Sequence, residues 1–186
     1  MAKSNRMTIP APTPSQKALK RVLTVSRLDG WSVMVVAGLG TLLTLVLGDW
    51  LGTGIGLLIG GAGWMEVHGH KILKRRDPAG MKWLIRSQLF LLALILAYCA
   101  SRLGSFDEGT VLANLTPDMQ AMLKEAGIEK ADILPIVHLA FLVLYGGVAV
   151  VSLIYQGGMT LYYRSRVRLV TEALAVSPMP PSQSVF

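Results

Sequence analysis

The chain has 186 residues, 52% of them hydrophobic, with a mean hydropathy of +0.51, more apolar than an ordinary soluble domain at about 45–50%. Its net charge of +7 and pI of 9.8 come from Lys and Arg that flank apolar runs instead of forming a soluble basic module, which argues against nucleic acid and for anionic lipid headgroups as the partner. The only cysteine, Cys99, lies inside an apolar run, so an intramolecular disulfide framework and a multi-cysteine metal site are excluded and the residue reads as packing.

Residues 1–15, with Pro10, Pro12 and Pro14 among Ser, Thr and Lys, read as a disordered tail. No cleavable signal peptide is expected, because the first apolar run starts after about thirty polar and basic residues, longer than a typical n-region. Over residues 16–28, Ala18, Leu19, Val22, Leu23 and Val25 alternate with Lys17, Lys20, Arg21 and Arg27, which predicts a basic amphipathic helix on the membrane surface; residues 1–29 are expected to be cytoplasmic.

Residues 30–65 carry one charge, Asp49, and as one helix would measure roughly 54 Å, against a hydrocarbon core of roughly 30 Å. Gly48-Asp49 supplies turn chemistry, so the run is expected to fold back as two spans, about 30–47 and 50–67. A re-entrant hairpin that enters and leaves on one face is the competing arrangement, and the length of each arm favours full crossing.

Gly48, Gly52, Gly56 and Gly60 recur at four-residue spacing on the second helix, a small-residue face suited to close helix packing. The partner is expected to be the first helix, with Gly38, Gly40 and Thr44, and the alternative is a second subunit.

Residues 68–77 concentrate Lys71, Lys74, Arg75 and Arg76 in a short loop, a strong cytoplasmic signal, and with Lys82 and Arg86 they make a candidate site for anionic headgroups. The third span is expected at about 81–103. The acidic segment 104–132 should be external and carry one short helix, with Thr116 as N-cap, Pro117 at its first position and Gly127 at its end. The fourth span, about 133–163, is longer than a bilayer needs and should tilt or project inward, followed by Arg164, Arg166 and Arg168 and a disordered tail over 173–186.

All but three of the 18 Lys and Arg residues (Arg102, Lys124 and Lys130) then lie on the cytoplasmic side. The expected architecture is therefore an all-α integral membrane protein, four spans in a small bundle over residues 30–172, both termini cytoplasmic, in the inner (plasma) membrane.

Candidate intramembrane polar residues are Glu66, Arg86, His138, Tyr145 and Gln156. Glu66 and Arg86 fall at comparable depth on neighbouring antiparallel helices, so an ion pair is expected there, with Gln88 nearby. Glu66, His68 and His70 form a weak metal-ligand pattern that lacks further ligands, so neither a metal nor a cofactor is expected. His138 and Tyr145, seven residues apart, share a face and read as interhelical hydrogen bonding.

No nucleotide-binding glycine loop, nucleophile elbow or haem-type histidine ladder is present, so no enzyme activity is expected. The expected role is a non-enzymatic membrane subunit or scaffold. The alternative is an oligomeric channel or transporter assembled through the glycine face of the second helix.

Overall fold

Thr13 starts the first helix by a reciprocal cap: its hydroxyl accepts from Gln16 N–H at 3.3 Å, and Gln16 Oε1 accepts from Thr13 N–H at 3.1 Å. With Pro14 in the first turn, α1 runs Pro14–Val46, 33 residues, in the computed structural model of the chain. The structure describes residues 13–105, 116, 118, 122, 125, 127 and 130–176.

The amphipathic segment and the first span, expected as separate elements, are one continuous helix. Gly30 sits at the expected junction, where a single helical glycine costs about 1 kcal/mol relative to alanine, too little to break a helix with packing on both sides.

The turn expected at Gly48-Asp49 is present. Gly48 has φ 72, the left-handed conformation that glycine adopts without penalty, and Asp49 caps the next helix by accepting from Gly52 N–H at 2.9 Å. Helix α2 spans Trp50–Lys74, so His70, Lys71 and Lys74, expected in a loop, are helical and hold a fixed register. The turn that follows is shorter than expected: Arg76 adopts φ 65 and Asp77 Oδ1 accepts from Ala79 N–H at 2.8 Å. Helix α3 spans Ala79–Gly104 and α4 spans Lys130–Val176, 47 residues or roughly 70 Å.

Among the described residues the chain is all-helical, with four long helices. Three of them, α1, α3 and α4, are long and apolar enough to cross a membrane. Helix α2, which carries Glu66, His68 and His70, is not among them. Most of the short helix expected over 116–127 lies outside the described residues; Asp118, Met122 and Glu125 are helical, and Gly127 has φ 68.

Two compact units are distinguished: Met1–Gln88 with Met159–Phe186, and Leu89–Gly158. In the first, α1 and α2 pack at contact distance. A Cβ on Gly56 would collide with the Thr41 side chain, one on Gly52 would lie 2.8 Å from Thr44 Cγ2, and one on Gly63 would lie 2.8 Å from Met34 Cγ. Of the glycine face read in the sequence, Gly52 and Gly56 are thus occupied by α1, Gly60 only grazes Ala37 at 3.9 Å, and Gly48 forms the turn.

The same unit contains an apolar core of Val22, Leu73, Met81, Leu84, Tyr163 and Val170, one or more from each helix. Val22 lies in the stretch expected as a surface segment, Leu73 in the expected loop, Met81 and Leu84 at the start of the expected third span, and Tyr163 and Val170 at and beyond the end of the fourth. The continuous α1, the longer α2 and the extension of α4 create this core. In the second unit Tyr98 packs edge-on to Tyr145, with ring centres 6.0 Å apart, and Phe141 lies 4.5 Å from the same ring.

Candidate functional site

Beside the apolar core of the first unit, each of the four long helices contributes a buried polar side chain to a single cluster. Asp29 comes from α1, Glu66 from α2, Gln88 from α3 and Tyr163 from α4, and they are 7%, 1%, 0% and 0% exposed.

Missing side chains let these helices come together. A Cβ on Gly30 would stand 3.0 Å from Val67 Cγ2 and 3.3 Å from Glu66 Cγ, so α1 reaches α2 at the level of the cluster. Between α2 and α3 the approach is backbone to backbone: a Cβ on Gly80 would lie 2.6 Å from Gly69 O and 2.7 Å from Leu73 N. Gln88, two turns further along α3, is thereby carried to the carboxyl groups.

Gln88 Nε2 donates to Asp29 Oδ2 at 2.6 Å and to Glu66 Oε2 at 2.8 Å, which uses both hydrogens of the amide. Tyr163 Oη donates to Glu66 Oε1 at 2.8 Å, so each Glu66 oxygen has a donor. Gln88 Oε1 is buried without a hydrogen-bond partner, the consequence of turning the amide nitrogen toward two acids. Thr160 Oγ1, one turn before Tyr163, is likewise buried and without a partner.

One turn away, Ser26 Oγ and His70 Nδ1 meet at 3.1 Å and bridge α1 to α2 a second time. Burial holds the His70 imidazole below its ordinary pKa, and the positive charges of Lys74 and Arg27 push the same way.

Arg86, expected beside Glu66, is exposed; Gln88 and Tyr163 occupy the positions around the carboxyl group. The Glu66-His68-His70 string does not converge either. His68 stacks on Trp64 with ring centres 5.2 Å apart and meets Trp83 edge-on at 5.1 Å, while His70 turns to Ser26. Among the described residues no three His, Cys, Asp or Glu side chains are grouped to hold a metal ion.

His138 is exposed, and Tyr145 packs among aromatic rings. Gln156 is buried, with Oε1 unpartnered. Lys71, Lys74, Arg75, Arg76 and Lys82 are all exposed.

Two members of the cluster, Asp29 and Tyr163, were missed by sequence reasoning because each sits at the edge of an assigned segment. A signal existed for Asp29: Ala18, Val22, Ser26 and Asp29 recur every three or four residues and are all buried, a face too polar for lipid and suited to a protein interior.

No family model, curated protein or solved structure matches the chain.

Proposed function

We propose that the chain is a non-enzymatic subunit or scaffold of the inner (plasma) membrane, with four spans near residues 30–47, 50–67, 81–103 and 133–163 and both ends cytoplasmic. The observation that carries this reading is the cluster itself. One polar side chain from each helix is consumed in hydrogen bonds to the others, as in a clasp that fixes helix positions.

Three further features support it. The apolar residues of α1 and α4 are widely exposed, as lipid-facing surfaces are. Lys and Arg concentrate at the ends assigned to the cytoplasm. The glycines that bring α2 close to a neighbour, Gly52, Gly56 and Gly63, are occupied within the chain.

The second reading, an oligomeric channel or transporter, draws on the two titratable carboxyl groups that meet at Gln88 and on the unused acceptor of that amide. Its assembly surface would be the side of α2 with Gly54 and Gly61, where an added Cβ meets nothing within 4 Å.

Reconstitution in vesicles separates the two. The scaffold reading expects proton, potassium and chloride fluxes equal to those of empty vesicles, while Glu66→Gln and Gln88→Leu lower yield and thermal stability. A flux above that background that Glu66→Gln abolishes would reject it in favour of transport.

A further inference from the structure

We propose that the cleft between α1 and α2 beside Arg27, His70 and Lys74 is a binding site for the phosphate headgroup of an anionic phospholipid. The inference goes beyond the scaffold role and rests only on the membrane topology proposed above.

Two adjoining grooves, of about 440 and 310 Å³, share Arg27, His70 and Lys74 in their walls. The first adds Lys20, the second adds Lys71, so four cationic side chains and the His70 imidazole, from two helices, border the adjoining grooves. Among the described residues no carboxylate forms an ion pair with Lys20, Arg27, Lys71 or Lys74. A concentration of positive charge without an internal counter-charge is complementary to an external anion.

The remaining walls decide the kind of anion. Leu28 and Trp31, which continue α1 toward its expected span, are 67% and 54% exposed and line the two grooves, with Leu23 and Val67 beside them. A free phosphate has no use for that surface, whereas a glycerophospholipid lays its ester and upper acyl region along it, and a tryptophan at this level suits the bilayer interface.

The site is also built before any ligand arrives. Ser26 and His70 join its two walls at 3.1 Å, and that bond leaves Nε2 as the remaining polar atom of the imidazole. Basic pockets between helices on the cytoplasmic side are a recurrent form of anionic-lipid recognition, worth about 1 kcal/mol per Lys or Arg near the surface. Arg75, Arg76, Lys82 and Arg86, which the sequence grouped with Lys71 and Lys74, do not line this cleft.

The test is native mass spectrometry of the purified full-length chain in detergent, titrated in parallel with phosphatidylglycerol, phosphatidylcholine and glycerol 3-phosphate. Phosphatidylglycerol should be retained preferentially, and Arg27→Gln with Lys74→Gln should weaken it roughly thirty-fold, the loss of two such contacts. Lys82→Gln with Arg86→Gln, an equal charge change outside the cleft, should leave retention within about two-fold. Equal loss in both double variants would overturn the proposal in favour of diffuse surface charge. Equal retention of phosphatidylcholine, or competition by glycerol 3-phosphate as strong as by the lipid, would overturn it as well.

A second measurement keeps the basic residues intact. The Trp31 fluorescence, taken as the difference between wild type and Trp31→Phe, should be quenched more by phosphatidylglycerol with brominated chains than by brominated phosphatidylcholine at equal mole fraction. Equal quenching would contradict the site. Neither readout depends on flux or assembly, so failure here leaves the scaffold reading standing, and a measured flux leaves the lipid site standing.

Discussion

Along α4, the large apolar side chains of Leu139, Val143, Val151 and Ile154 are exposed, whereas Thr160, Tyr163, Val170 and Ala173 of the same helix are buried. Helix α1 divides in the opposite direction along the chain: Val22, Ser26 and Asp29 are buried, and Leu39, Leu42 and Val46 are exposed. The stretch around Val22, Leu73, Leu84 and Val170 follows the pattern of a water-soluble bundle, apolar within and charged without, down to an exposed Arg168–Glu172 pair at 2.9 Å. The other stretches invert that pattern and leave their leucines and valines to the surroundings. Along α1 the change falls between Asp29, a member of the Asp29–Glu66–Gln88–Tyr163 cluster, and Leu39.

The largest expected effect tests how close the soluble-like part is packed. Gly80→Ala brings a Cβ against backbone atoms of α2 that have no side-chain freedom to give way, and should cost about 3 kcal/mol. Gly54→Ala, with nothing within 4 Å, should instead be neutral or stabilise by up to about 1 kcal/mol through helix propensity. Thermal unfolding in lipid nanodiscs checks both, and similar outcomes for the pair would erase the distinction drawn between the two parts of the chain.

Next in size is the polar cluster. Gln88→Leu removes the shared donor of two buried carboxyl groups and should destabilise by about 2–3 kcal/mol, while Tyr163→Phe, which removes one hydrogen bond, should cost about 1 kcal/mol. Denaturant titrations that rank Tyr163→Phe above Gln88→Leu would shift the centre of the cluster from α3 to α4.

Smaller still is the effect of pH. His70 is held below its ordinary pKa in the folded protein, so the unfolded chain takes up a proton first. Stability should therefore fall as pH drops below about 6.5 and stop falling once folded His70 is itself protonated. His70→Gln should flatten this part of the melting-temperature profile.

Thr160→Val is expected to move stability least, within about 0.5 kcal/mol and toward stabilisation. Its hydroxyl is buried without a hydrogen-bond partner, so replacing it by a methyl group loses no bond.

Much of the helical layout could be read from residue patterns, since Gly48-Asp49 and the apolar runs mark where helices turn and how long they are. The exception at α1 is instructive. Gly30 and the change from charged to apolar composition suggested a boundary, but composition changes with the solvent around a helix and leaves the backbone hydrogen bonding unchanged. For the same reason the turn after α2 was drawn too early, at His68, although Lys74 still belongs to the helix.

Within the cluster, Glu66 and its neighbour Gln88 were legible because a carboxylate in an apolar run demands a partner. The choice of Arg86 failed because charge complementarity was weighed at equal depth without rotation. Arg86 and Gln88 lie two residues apart, about 200° around a helix, and only one of them faces inward. Asp29 and Tyr163 sit at the edges of the expected spans, one residue before the first and at the last position of the fourth; the buried periodicity of Ala18, Val22 and Ser26 points to Asp29, and no comparable pattern marks Tyr163.

The central claim is that Glu66 ties α3 to α4 by holding Gln88 and Tyr163 at once. A double-mutant cycle of Gln88→Leu and Tyr163→Phe, followed by unfolding in nanodiscs, measures that tie directly. The account predicts a coupling of at least about 0.5 kcal/mol, because both side chains act through one carboxyl group. Strictly additive losses would contradict it and leave two unrelated contacts in place of one clasp.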